Sequence, residues 1–225
     1  MSENVKVLIG IPNGSGVFPA STVRGLLELR KPVPCMISIV EKQMIEMARN
    51  GLVQQALASG VSHLLMVDDD NPIPPETLEI LLTDDKDIVI TPILSRNPNA
   101  QGVHDLCAFY QRTINIDEKP IKLYEHIENF KDPSPLHRID GGGTGCVLIK
   151  IDVLKKLFAK YKERVFERTY IKFPETEIDG KTYDSRSMSE DIQFCERAIE
   201  EGFEVWLDDR VRPLHLTAPK FVKYI

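Results

Sequence analysis

The stretch His63-Leu64-Leu65-Met66-Val67-Asp68-Asp69-Asp70-Asn71-Pro72 is an apolar run of strand length that ends in three acids and a proline. In extended geometry alternate side chains project to opposite sides, so Asp68 and Asp70 are expected on one side and Asp69 on the other. Two unit charges ~6 Å apart at an effective dielectric of ~20 repel by roughly 3 kcal/mol. A divalent cation held between them removes that cost, and hard oxygen ligands favour Mg²⁺ or Mn²⁺ with positions left open for phosphate. The alternative is a solvated turn, because Asp, Asn and Pro are all common in turns.

Outward from this stretch the chain alternates between two periods. Residues 5–11 form an apolar run that stops at Pro12-Asn13-Gly14, and residues 19–29 read as a helix. Residues 35–40 are a second strand, and residues 41–59 place Ile45, Ala48, Leu52 and Ala56 at helical spacing before Gly60. A helix at 75–82 and a strand at 87–91 follow the acids. This β-α repetition predicts a mostly parallel central sheet flanked by helices, with ligands beyond the carboxyl ends of the strands. Residues 94–138, rich in Pro, Asn and charge, read as irregular with one or two strands, one of them at 107–111. A strand at 145–149, helices at 152–162 and 190–201, and a strand at 203–207 complete the pattern. Nothing in the middle resembles a Gly/Ser or Pro spacer, so a single α/β domain with two halves is expected, 1–95 and 96–225.

Composition narrows the function. Hydrophobic residues make up 42% and charged residues 28% of 225, the balance of a globular protein. A net charge of −6 disfavours a surface that tracks a nucleic-acid backbone, which needs many Lys and Arg contacts. Cys35, Cys107, Cys146 and Cys195 form no C-x-x-C pair, which points to free thiols rather than a zinc knuckle or dithiol site. The first residues, Met1-Ser2-Glu3-Asn4, lack the basic start of a secretion signal, and no run approaches the roughly 20 apolar residues of a membrane span. A cytoplasmic protein is therefore expected.

Three motifs in order carry a resemblance. Asp68-Asp69-Asp70 ends an apolar strand, Asp140-Gly141-Gly142-Gly143-Thr144-Gly145-Cys146 leads into another, and Ser187-Met188-Ser189-Glu190-Asp191 opens a helix. Across about residues 5–216 this resembles the glycosyltransferase A-type fold, with a Rossmann-like nucleotide-binding half, and in particular the family 2-like glycosyltransferases. The resemblance implies a transferase that moves a sugar from a nucleotide-sugar donor to a hydroxyl acceptor with Mn²⁺ or Mg²⁺. Residues 1–95 would bind the nucleotide and 96–225 the acceptor.

Residue by residue, the resemblance makes Asp70 the direct metal ligand and places Asp68 on the metal through water or on the ribose. His215, in Arg212-Pro213-Leu214-His215-Leu216, matches a late histidine that completes the metal shell, and Lys220 follows within reach of a phosphate. Gly142 and Gly143 correspond to backbone lining the donor sugar and acceptor pocket, where a tight turn is the alternative. Asp191 would be the general base of an inverting transfer, supported by Glu190. Ser187 and Glu190 also fit a Ser-x-x-Glu capping box, which explains the glutamate without chemistry. Pro12 and Asn13 occupy the loop that receives base and ribose. Arg49, in an Arg49-Asn50 pair, and Arg96 are candidates for the donor, since a guanidinium fork suits oxyanions; surface salt bridges would explain either arginine equally well.

Rivals exist. A non-catalytic sugar-nucleotide or glycan-binding module would keep the pocket and lose the base. A phosphohydrolase would use Asp-x-Asp as nucleophile and acid, but normally on its first strand, whereas this one is on the third. A nucleotidyltransferase would want a basic first loop, which Asn13-Gly14-Ser15-Gly16 is not.

Overall fold

The computed structural model describes residues 5–216 apart from 117, 131 and 179. Lys220 lies outside the described residues. From the N-terminus come β1 (Val7–Asn13), α1 (Ala20–Glu28), β2 (Cys35–Glu41), α2 (Ile45–Ala58), β3 (His63–Val67), α3 (Thr77–Thr83) and β4 (Ile88–Ile90). Then follow β5 (Ala108–Ile116), β6 (Lys119–His126), β7 (Leu136–Ile139), β8 (Gly141–Gly142), β9 (Cys146–Lys150) and α4 (Ile151–Tyr161). The chain closes with the hairpin β10 (Thr169–Ile178) and β11 (Lys181–Met188), α5 (Glu190–Glu200) and β12 (Val205–Asp208).

Seven strands form the central sheet in the order β2-β1-β3-β9-β4-β12-β7. β2, β1 and β3 pair in parallel, as do β4 and β12. Two strands run against them: β9 between β3 and β4, and β7 on β12 at the edge. The mostly parallel α/β sheet expected from the sequence is thus present.

Strand periodicity divides the core between the two faces. Leu8, Leu64, Met66, Ile88, Ile90, Val147 and Ile149 point to one side, against Leu52, Val53 and Ala56 of α2, Leu154 and Leu157 of α4, and Phe194 of α5. Their sequence neighbours Val7, Ile9, Leu65, Val67, Val89 and Leu148 point to the other, with Leu78 and Leu81 of α3. Continuous apolar strands are what a sheet covered on both faces requires. Leu52, Leu64, Leu154 and Leu157 are fully buried, and each such side chain contributes roughly 1.5–3 kcal/mol. The four cysteines are free. Burial pushes the thiols of Cys146 and Cys195 up to about 12.

Three expectations need correction. The middle is more regular than its composition suggests: β5 and β6 pair over eight positions and β7 joins the main sheet. Its polar residues reflect strands with one wet face rather than loop. The β10–β11 hairpin was not anticipated, because its Lys, Glu, Thr and Ser content masks a two-stranded ribbon outside the core. The cap of α5 is Ser189, whose Oγ accepts from the Ile192 N–H at 3.4 Å. Ser187 instead pairs with Tyr170 inside the hairpin.

Gly145 ties β9 to the acids. Its carbonyl accepts from the Asp68 N–H at 2.8 Å, and a Cβ built on it would stand 2.4 Å from Asn71 Oδ1 and 3.4 Å from Asp68 Oδ2. Gly145→Ala is therefore expected to lower unfolding stability by about 1–3 kcal/mol through overpacking, read by urea denaturation. An unchanged midpoint would show that the acid turn yields freely.

Candidate active site

A cleft of about 1270 Å³ opens beyond the carboxyl ends of β1, β3 and β4. It is bordered by Pro12, Gly14 and Phe18 after β1, by residues 68–71 after β3, by Ile93 and Arg96 after β4, and by residues 189–192 at the start of α5. His215 and Leu216 close one side. Residues from both ends of the sequence thus meet where a parallel sheet leaves room for a ligand.

The acids leave β3 in a turn, not as an extended strand. Asn71 N–H donates to the Asp68 carbonyl at 3.1 Å, and Asp69 and Asp70 are turn residues. The expected two-sided alternation is lost, and all three carboxylates line the cleft. Asp68 and Asp70 find different partners.

Asp68 faces Arg49, which projects from the buried side of α2 and is 2% exposed. Arg49 Nη2 donates to both Asp68 oxygens at 3.0 and 3.2 Å, and Nη1 donates to Glu190 at 3.0 Å and to Asp191. Glu190 receives a second cation, Arg168, at 3.2 Å. Burial works against the Arg49 charge, but Asp191, Asp68 and Glu190 outweigh it and hold its pKa above the ordinary value. The same excess of carboxylates acts on Asp68, which burial, with Asp191 and Asp70 nearby, pushes up to about 6 in spite of Arg49. Both arginine candidates were open to explanation as surface pairs; for Arg49 the structure shows a buried one.

Asp191 sits in the first turn of α5. Its Oδ1 accepts from Arg49 and from the Thr144 hydroxyl, while Oδ2 has no partner among the described residues. The Asn50 side chain clamps Phe166, bonding its N–H at 3.0 Å and its carbonyl at 2.7 Å.

Asp70 faces the other way. Its Oδ2 accepts from Arg96 and lies 3.5 Å from His215 Nε2. The imidazole is held at Nδ1 by the Leu94 carbonyl at 2.6 Å. Since a carbonyl only accepts, Nδ1 carries the hydrogen, and the neutral ring keeps a lone pair at Nε2, which meets Arg96 Nε at 3.0 Å. Burial would raise the Asp70 carboxyl, but His215 and Arg96 hold it below the usual value. Asp70 in turn raises His215, because the protonated ring can donate Nε2–H to this carboxylate. The backbone brings this late histidine here: Leu216 N–H bonds the Asp70 carbonyl at 2.9 Å, Leu214 N–H bonds the Pro72 carbonyl at 3.1 Å, and Asn71 Nδ2 bonds the Leu214 carbonyl at 3.1 Å.

The other expected residues divide. Pro12 and Gly143 line the cleft. Asn13 is buried and shapes its loop, its Oδ1 accepting from Gly16 N–H at 2.6 Å and Ser15 Oγ at 3.2 Å. Gly142 belongs to β8 and packs on Ile90 and Ile139, where a Cβ would lie 1.9 Å from Ile90 Cδ1. Neither Asn13 nor Gly142 borders the cleft. Sequence reasoning passed over Thr144, within the quoted glycine run, and Cys107 and Phe109, which lie two apart and so face one side of an extended segment.

Among the described residues no three His, Cys, Asp or Glu side chains converge as a ready metal cage. Asp70 Oδ2 and His215 Nε2 nonetheless aim at one cationic group, the Arg96 guanidinium. One carboxylate oxygen and one imidazole nitrogen suit Mn²⁺ or Mg²⁺ with several positions left to phosphate and water, so the donor set fits such an ion. Both Asp68 oxygens are committed to Arg49.

Fold and cleft together define a mixed α/β protein with a mostly parallel central sheet flanked by helices, a fold shared with glycosyltransferase-like structures. No family model matches the chain, and no curated protein matches it. Among solved structures, it is similar to A197 from STIV, with 13% identity and a TM-score of 0.57 over 95% of this chain and 87% of that one. It is also similar to GalNAc-T7, solved with UDP, GalNAc and Mn²⁺, with 10% identity and a TM-score of 0.57. That match covers 96% of this chain and 44% of GalNAc-T7, so the chain spans less than half the length of that protein. At these identities the likeness shows a shared fold. Among the described residues no helix is long and apolar enough to cross a membrane.

The charge imbalance around Arg49 gives a pH-dependent stability. The Asp68 carboxyl is raised from 3.8 to about 6 on folding. Its contribution to stability is therefore complete below the unfolded value and lost as pH rises through about 6, by roughly 3 kcal/mol at most. Asp68→Asn should remove this dependence, so that the stability of wild type relative to the variant falls from acid to neutral pH in denaturant titrations. Parallel curves would show that Asp68 ionises as freely in the folded protein as in the unfolded one.

Proposed function

We propose that the chain transfers a sugar from a nucleotide-sugar donor to a hydroxyl acceptor with the help of Mn²⁺ or Mg²⁺.

 The carrying observation is a single cleft that holds the Asp70–His215 pair together with Asp191, whose Oδ2 has no partner among the described residues. GalNAc-T7, which shares the fold, was solved with UDP, GalNAc and Mn²⁺, and that chemistry supports the same reading here. In this reading residues 1–95 bind the nucleotide and residues 96–225 the acceptor.

Asp70 and His215 hold the cation, which when bound supplies a Lewis acid for the charge that develops on the departing diphosphate. Pro12 and the loop closed by Asn13 receive the base and ribose. Gly143 offers backbone to the sugar, and Gly142 keeps that backbone in place by packing. Asp68 and Glu190 act from behind, through Arg49. Asp191 takes the proton of the acceptor hydroxyl on Oδ2, while Arg49 and Thr144 fix the carboxylate by Oδ1. With Asp191 as base the transfer would be inverting, as the resemblance implies. Lys220 is assigned to a phosphate by the resemblance alone. A phosphohydrolase fits less well, because a nucleophilic Asp68 would need an oxygen free of Arg49.

Purified protein incubated with UDP-, GDP- and dTDP-sugars is expected to consume one of them only with Mn²⁺ or Mg²⁺, as followed by mass spectrometry. Asp70→Ala should abolish metal-dependent donor binding. Asp191→Asn should keep donor binding while turnover falls by about 10²-fold or more. Donor binding with no turnover in the wild type would turn the reading to a binding module, and binding indifferent to chelator would remove the metal from it.

A further inference from the structure

The two arginines that border the cleft are held very differently. Arg49 is 2% exposed and gripped by three carboxylates. Arg96 has a side chain 63% exposed, and among the described residues its hydrogen bonds run only to Asp70 Oδ2 and to His215 Nε2 at 3.0 Å. Those two acceptor atoms lie 3.5 Å apart and are the ones assigned above to the metal. One guanidinium therefore addresses both atoms that a divalent cation would need.

We propose that Arg96 is the counter-cation of Asp70 and His215: it yields both to the metal and moves onto the donor's diphosphate, so that metal and nucleotide bind synergistically. The proposal rests on the reading of Asp70 and His215 as metal ligands. Its physical basis is competition. A single carboxylate oxygen and a single imidazole lone pair cannot serve a guanidinium and a divalent cation at once, and the two cations repel each other at that distance. Metal arriving alone must break both Arg96 contacts with only water to replace them. Metal arriving with a diphosphate gives the guanidinium new oxyanion acceptors matched to its fork. Leaving is easy for an exposed side chain, whereas its backbone stays fixed, with the adjacent Ser95 N–H bonded to the Asp105 carbonyl at 2.8 Å and Leu94 bridged to Leu106. By reciprocity, whatever factor the nucleotide adds to metal affinity the metal adds to nucleotide affinity.

Free Mn²⁺, read by electron paramagnetic resonance, is titrated against wild type, Arg96→Gln, Arg96→Lys and Asp70→Ala, with and without UDP, GDP or dTDP and corrected for Mn²⁺ bound by free nucleotide. Wild type should bind Mn²⁺ weakly alone and more tightly with the nucleotide it accepts. Arg96→Gln should bind Mn²⁺ alone about tenfold more tightly, the scale of a lost charge-assisted contact, and should gain less from nucleotide. Arg96→Lys, which keeps the charge, should return Mn²⁺ affinity toward wild type. Thermal unfolding of each variant checks the fold. If Arg96→Gln binds Mn²⁺ no better than wild type while Asp70→Ala binds none, the competition is wrong and the metal site stands. If neither wild type nor Arg96→Gln binds Mn²⁺ under any condition, the metal assignment fails and takes this inference with it.

Discussion

One buried guanidinium holds the site together. Arg49 reaches Asp68 from the end of β3 and Glu190 and Asp191 from the start of α5, so α2, β3 and α5 meet at one charged group. Burying a lone arginine would be costly, and burying three carboxylates more so; each is tolerated because of the others. The arrangement is therefore cooperative. It also orients Asp191, since a carboxylate held at Oδ1 by Arg49 and Thr144 can present only Oδ2 to the cleft.

The rest of the fold serves this meeting point. Continuous apolar strands and helices on both faces make a rigid platform, and the carboxyl ends of the parallel strands lie at one edge of it. β9 enters between β3 and β4 in the opposite direction, which sets the Gly143–Gly145 backbone directly beside the acid turn. The segment that carries His215 is then strapped to that turn by backbone hydrogen bonds, so a residue 145 positions after Asp70 is placed as firmly as its sequence neighbours.

Much of this was legible in the residues. The apolar runs with strand length, the helical spacing of Ala48, Leu52 and Ala56, and acids at a strand end were sufficient for the central sheet and for the position of the cleft. What stayed hidden has physical causes. The β5–β6 and β10–β11 ribbons bury little, so polar residues obscure their period. The turn at Asp69–Asp70 depends on a tertiary partner, Gly145, that no local pattern announces. Arg49 looked like any helix arginine, because nothing in Ala48-Arg49-Asn50 says that two other elements will bring acids to it. Buried charge is a property of the assembled fold.

The Asp-x-Asp spacing consequently acts differently here from two ligands converging on one ion. The turn sends Asp68 inward to a guanidinium that cannot leave and Asp70 outward to one that can. Exchange of partners is cheap where the cation is solvent-exposed and dear where it is buried, because only the exposed group regains its hydration on departure. The two carboxylates therefore divide their work: Asp68 maintains the architecture that aims Asp191, and Asp70 is left able to trade its partner for an incoming ligand.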